Sequence, residues 1–190
     1  MKFPLPCVIF AGGKSSRMGQ DKALLPFGGF PSLAEYQYRR LLPLFSNVYI
    51  SAKRNKFSFD APMILDAPAS DFFAPTAGLL TVYETLASDF FAISVDTPFV
   101  DETVIEGVVS LYEREKADAV IARSPGGTHP MCGIYTMTLL PLLKQMIEEG
   151  NHRLNHLLGI ADTRFVDFPD DELFFNMNTP AEYRAGNRKS

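Results

Sequence analysis

The chain of 190 residues contains no tryptophan, two cysteines and three histidines. Cys7 and Cys132 are far apart and match no metal-ligand spacing, which excludes a zinc-ribbon or disulfide-stapled design. Cys7 lies inside an apolar run, so it reads as a buried, reduced thiol, consistent with a cytoplasmic protein. His152 and His156 are four apart, a spacing that suits zinc on a helix, but no third ligand accompanies them; they read as surface or packing residues. Positive charge is not in surplus: the formal net charge is −4, which argues against a nucleic-acid binder. No apolar run approaches the roughly 20 residues of a membrane span. The opening MKFPLPCVIF is broken by Pro4 and Pro6 and lacks a small-residue cleavage pattern, so it does not read as a signal peptide.

Apolar side chains are plentiful, at 46% of the sequence, and sixteen of them are phenylalanines. That is enough for a sizeable core, and the length suits one domain spanning 1–190. Short apolar runs at 7–10, 47–51, 63–65, 90–95 and 117–123 read as strands. Helical spacing at 32–45, 76–87 and 101–116 places helices between them. This alternation predicts an α/β fold: a three-layer αβα sandwich around a mostly parallel sheet. FFAISV (90–95) is the most apolar strand and is expected at the centre of the sheet. A turn at 124–127 and a returning strand at 132–137 make the sheet mixed at its edge. Helices are expected at 139–150, 152–160 and 179–187, with Thr179 as the last one's N-cap, and strands at 164–168 and 173–177.

The densest chemistry lies early. In VIFAGGKSSRMGQDKALL, Gly12 and Gly13 follow the first strand, and Lys14, Arg17 and Lys22 follow the glycines. A P-loop would need glycine at position 8, which is Val8, and the Gly-x-Gly-x-x-Gly fingerprint also fails. The loop still has the physics of both motifs. Glycines admit a ligand close to the backbone, lysine and arginine offer charge to phosphates, and the carboxyl end of a strand is where open α/β sheets bind ligands. Asp96 ends the central strand and would face the same crevice, although Asp before Thr-Pro also suits a plain turn.

AGGKSSRMGQDKALL resembles the signature of Rossmann-like nucleotidyltransferases, and within them the molybdenum cofactor guanylyltransferase (MobA) family. LDA at 65–67, APTAGLL at 74–80, VDTPFV at 95–100, THPMCGIY at 128–135 and FFNMNTPAEY at 174–183 are similar to later motifs of that family, in the same order. The resemblance implies transfer of GMP from GTP to molybdopterin carrying molybdenum, with release of pyrophosphate. It implies Mg2+ held by Asp96, and Lys22 and Arg17 as catalytic cations on the triphosphate, with Lys14 beside them. It also implies nucleotide contacts from the main chain of Phe10, Ala11, Gly12 and Gly13, and from Asp66 and Gly78. Ser51 stands where family members often carry Asn, which shortens that contact to a hydroxyl. Asn176 and Asn178, expected to share one face of a strand, are candidates for the pterin or its phosphate, as are His129 and Arg153. Asp66, His129 and the Asn pair also suit plain turn, loop and cap roles. Molybdopterin-delivery proteins and molybdoenzymes are the expected partners; nucleic acid and membrane are not. The competing readings are a cytidylyl- or sugar-phosphate nucleotidyltransferase of the same fold, and a non-catalytic nucleotide-binding delivery module.

Overall fold

The computed structural model describes residues 2–12, 21–66 and 75–188. Seven strands form one sheet: β1 (Cys7–Phe10), β2 (Val48–Ala52), β3 (Met63–Leu65), β4 (Phe90–Ser94), β5 (Ala119–Ser124), β6 (Gly127–Tyr135) and β7 (Thr163–Asp167), in the order β3-β2-β1-β4-β6-β5-β7. β1 pairs in parallel with β2 and β4, and β7 runs parallel to β5. β6 is antiparallel to both β4 and β5. The sheet is therefore mixed as expected, but its antiparallel strand lies inside, between β4 and β5, rather than at an edge. Six helices accompany the sheet among the described residues: α1 (Leu33–Leu41), α2 (Pro75–Leu86), α3 (Glu102–Arg114), α4 (Leu140–Glu148), α5 (Leu154–Ile160) and α6 (Pro180–Asn187).

Alternation along the strands separates two cores. Cys7, Ile9, Ile50, Phe91, Ile93 and Val120 join α1 and α3 on one face. Val8, Ile64, Phe90, Ala92, Ile121 and Tyr135 join α2, α4 and α5 on the other. β4 contributes fully buried residues to both, as befits the middle strand of an α/β sheet. Gly133 lets β6 lie against β5, because a Cβ there would collide with Val120 O and the Ile121 side chain. Pro130 falls in the register shift between Ile121 and Arg123, where the ladder loses no donor.

Local signals set the helix starts. Ser32 Oγ accepts from Glu35 N (3.2 Å), Asp101 Oδ1 accepts from Val104 N (3.1 Å), and Thr179 with Glu182 forms a capping box. α1 stops at Leu41, short of the expected 45, because Pro43 cannot continue it. The strand expected at 173–177 does not form. Residues Glu172–Phe174 make a 3-10 turn with Phe174 buried, and a tight turn follows in which Asn178 N donates to Asn176 O (3.2 Å) with Met177 buried. The aromatic residues of this segment pack instead of pairing: Phe174 against His129 and Phe168, and Phe175 against Phe99.

Candidate active site

The sheet order reverses at β1: β2 and β3 build outward on one side, β4 on the other. A crevice forms at the carboxyl ends of strands flanking such a point. Phe10–Gly12 leave β1 there, and Asp96 leaves β4. The two turns are tied together by Val95 N donating to Phe10 O (3.1 Å), while Ala11 N donates to Ser51 O (2.8 Å).

At the centre, the Lys22 ammonium pairs with Asp96 Oδ2 and donates to Asn178 Oδ1 at 2.8 Å. Ser94 Oγ donates to the other Asp96 oxygen at 2.5 Å, and Met177 N donates to Asp96 O (3.1 Å). Side-chain exposures of 15% for Lys22 and 11% for Asp96 put this pair well inside the crevice, where charge interactions are stronger than on the open surface. Lys22 opens a 3-10 turn (Lys22–Leu24) whose cap is Asp21, with Asp21 Oδ1 accepting from Ala23 N (3.1 Å). Asp21 in turn pairs with Lys56, which also donates to Ala11 O at 3.0 Å. Glu182 sits behind Asn178 and accepts from the backbone of Asn178 (2.9 Å) and Thr179 (2.8 Å). Hydrogen bonding from Thr179, and then the Lys22 charge, hold its carboxyl below the usual range.

The second part of the crevice lies toward β2. A Cβ at Gly12 would face Ala52 Cα at 3.7 Å and Asp66 Oδ2 at 3.8 Å. Asp66 Oδ1 is buried with no hydrogen-bond partner. Burial raises the Asp66 carboxyl above the usual range, and the Lys53 charge opposes the rise. Ser51 is buried, and its Oγ faces Gly78 in the first turn of α2. A Cβ at Gly78 would meet the Phe10 ring at 3.3 Å, so glycine is what lets α2 sit this close to β1.

A third cluster lies where the β5–β6 hairpin meets residues 171–174. The His129 ring stacks on Phe174 (centroids 3.9 Å apart, 5° between planes), and its Nε2 is 2.7 Å from Ser124 Oγ. Ser124 donates to Asp171, which also accepts from Gly126 N (2.8 Å). The order is wrong for a nucleophile: the hydroxyl gives its proton to the carboxylate, so the imidazole is not its base. Burial lowers the His129 pKa, with the Asp171 charge opposing. The cluster ties the hairpin to the chain leading into Asn176–Asn178.

The family model for the MobA-like NTP transferase domain matches residues 7–164. The chain belongs to the MobA-like NTP transferase family. It is similar to the molybdenum cofactor guanylyltransferase of Campylobacter jejuni subsp. jejuni serotype O:6, at 34% identity over 94% of this chain and 93% of that one. The corresponding enzyme of Helicobacter pylori strain J99 is 36% identical, over 94% of this chain and 86% of the other. The crystal structure of molybdopterin-guanine dinucleotide biosynthesis protein A from Archaeoglobus fulgidus superposes with a TM-score of 0.81 at 19% identity, covering 97% and 98% of the two chains. The chain is accordingly a nucleotidyltransferase of Rossmann-like fold.

Of the residues singled out from sequence, this MobA-like fold brings Lys22, Asp96 and Asn178 into direct contact, and gathers Phe10, Ala11, Gly12, Ser51, Asp66 and Gly78 at the adjoining strand ends. Gly13, Lys14 and Arg17 lie outside the described residues. Asn176 does not share a face with Asn178. With no strand to hold the alternation, Asn176 is exposed while Asn178 turns in to Lys22. Arg153 is exposed at the start of α5. His152 Nδ1 lies 2.9 Å from Thr76 Oγ1, and His156 is exposed; no cluster of three or more His, Cys, Asp or Glu placed to hold a metal occurs among the described residues. Sequence reasoning missed Ser94 and Lys56. Ser94, two before Asp96, carried a usable signal in its spacing; Lys56, in a polar loop, carried none.

Proposed function

We propose that the protein is a molybdenum cofactor guanylyltransferase, joining GMP from GTP to molybdopterin carrying molybdenum. A phosphate oxygen of the acceptor attacks the α-phosphorus of GTP. The new P–O bond forms as the α–β bridge breaks, and pyrophosphate leaves with the electron pair. The observation that carries this reading is Lys22 held between Asn178 and Asp96, whose turn is bonded to the carboxyl end of β1 through Val95 N and Phe10 O. A cation already rests on a buried carboxylate at the place where a triphosphate would need both.

The donor set fits Mg2+. A single carboxylate suits an ion that takes its remaining ligands from phosphates and water, and the Lys22 ammonium beside Asp96 marks a position that favours a cation. Asp96 would hold the metal, which when bound would offset charge developing on the leaving pyrophosphate. Lys22, with Arg17 and Lys14, would neutralise the triphosphate. The backbone of Phe10–Gly13 would approach the guanine closely, and the unpartnered oxygen of Asp66 would accept a hydrogen bond from the nucleotide. Ser51 and Gly78 would line the same pocket. Asn178, with Asn176, His129 and Arg153, would address the acceptor. We extend the proposal to a cytoplasmic setting, with molybdopterin-delivery proteins and molybdoenzymes as partners. Among the described residues, no helix is long and apolar enough to cross a membrane.

Incubation with molybdopterin, Mg2+ and each of GTP, CTP, ATP and UTP tests the reading by pyrophosphate release. GTP alone should support turnover. Turnover with CTP instead would make the enzyme a cytidylyltransferase, and nucleotide binding with no pyrophosphate would make it a delivery module.

A further inference from the structure

Two polar side chains of α1 enter the core on the side facing Asp96. Gln37 is fully buried. Its Nε2 donates to Ser94 O (3.0 Å) and Val95 O (3.3 Å), the two carbonyls just before Asp96. Its Oε1 accepts from Arg40 Nε at 2.6 Å, and Arg40 Nη1 donates to Val100 O at 2.7 Å, where the same turn ends. The residues from Ser94 to Val100 are thus gripped at both ends from one helix. Arg40 Nη2 is buried without a hydrogen-bond partner, and burial lowers the pKa of the guanidinium. A buried cation with no carboxylate bonded to it is costly, so its retention asks for a reason beyond filling space.

We propose that Gln37 and Arg40 are positioning residues for Asp96: they fix the carboxylate's aim from α1 by holding the carbonyls on either side of its turn. β4 ends at Ser94, and beyond it the backbone is tied to other segments by Val95 N donating to Phe10 O (3.1 Å) and Met177 N donating to Asp96 O (3.1 Å), neither of which holds the Ser94 or Val95 carbonyl. Without the α1 donors, Ser94 O would keep only local bonds from Thr97 N (3.4 Å) and Thr97 Oγ1 (3.1 Å), both from within the turn itself. Ser94 also donates its hydroxyl to Asp96, so a shift of its backbone moves the carboxylate directly. The groups proposed to contact the nucleotide, the main chain of Phe10 and Gly12 and the Asp66 carboxylate, are not bonded to this pair, so the effect should fall on the metal and on turnover rather than on the base.

This inference rests on the metal role of Asp96 proposed above. Its test compares wild type, Arg40→Met and Arg40→Lys, with folding checked by circular dichroism and melting temperature. Met fills most of the same space without a donor; Lys restores one donor toward Val100 O. Two quantities are read: Mn2+ affinity by electron paramagnetic resonance with a non-hydrolysable GTP analogue, and kcat against KM for GTP. Arg40→Met should weaken Mn2+ binding and lower kcat by about tenfold each, with KM for GTP within about twofold, and Arg40→Lys should recover at least half of both losses. The proposal is overturned if folded Arg40→Met binds Mn2+ and turns over like wild type whatever its melting temperature, or if Lys and Met lose equally. A wild-type protein that binds the analogue but no Mn2+ would instead remove the metal role of Asp96, and this inference with it.

Discussion

The two ends of the sheet are both rich in carboxylates, yet they are built differently. At the amino end, a cleft of about 450 Å³ is lined by Asp89, Glu115, Asp118 and Asp162, with Tyr112 and Thr138. Every one of these acids is satisfied by its neighbours. Asp89 accepts from Tyr112 Oη (2.7 Å) and Met137 N (2.8 Å), Asp118 from Thr138 Oγ1 (2.6 Å) and Asp162 N (3.0 Å), and Arg164 bonds both Glu115 and Asp162. At the carboxyl end the closure is incomplete: Asp66 keeps a buried oxygen without a partner, and one lysine is shared between Asp96 and Asn178. A carboxylate cluster whose bonds are all made internally braces strand starts and helix ends. A group left short of partners is what a ligand can complete.

The contrast is broken most forcefully at Asp96. Asp96→Ala should cut pyrophosphate release by about a thousandfold while the circular dichroism spectrum stays that of the wild type. Activity within tenfold of wild type would put Asp96 on the same footing as the amino-end acids.

Asp66→Asn sharpens it. Burial favours the protonated form of Asp66 in the folded state, so its contribution to stability is fully present below the unfolded pKa and lost as pH rises through the raised folded value. The neutral variant escapes that loss. Ligand-free Asp66→Asn should therefore melt above wild type at neutral pH, with the gap closing below about pH 4, while GTP affinity by calorimetry falls about tenfold. Lower stability together with unchanged affinity would remove Asp66 from the site.

The smallest change is expected at the amino end. Asp118→Ala should cost about 1 kcal/mol in chemical denaturation through its lost hydrogen bonds, and leave kcat and KM within twofold. A large kinetic effect would mean that the two ends are coupled.

How far the sequence reveals this arrangement follows from what each signal encodes. The strands at 7–10 and 63–65, the one expected at 90–95 and formed at 90–94, and the cap at Thr179 are local matters of burial and hydrogen bonding, and the chain declares them. Lys22, Asp96 and Asn178 were legible as candidates, but their convergence is a long-range fact supplied by the switch at β1 and by the segment ahead of α6, where Met177 N donates to Asp96 O and Asn178 meets Lys22. Asn176 was misread because an aromatic run resembling a strand is in fact packed as a turn, which breaks the alternation that would have paired it with Asn178. Gln37 and Arg40 were hidden for a similar reason: helical spacing places Arg40 in line with Leu33, Tyr36 and Leu44, but spacing alone does not show that the two side chains reach the carbonyls of Ser94, Val95 and Val100 around the Asp96 turn.

At the centre of the proposed site is a metal ion that shares Asp96 with the triphosphate. Crystals grown with Mn2+ and a non-hydrolysable GTP analogue, measured at the manganese absorption edge, test it directly. The expected result is one anomalous peak within coordination distance of an Asp96 oxygen and of the phosphates, with Lys22 displaced from the carboxylate onto the nucleotide. A nucleotide in the crevice with the manganese elsewhere, and Lys22 still paired with Asp96, would contradict it.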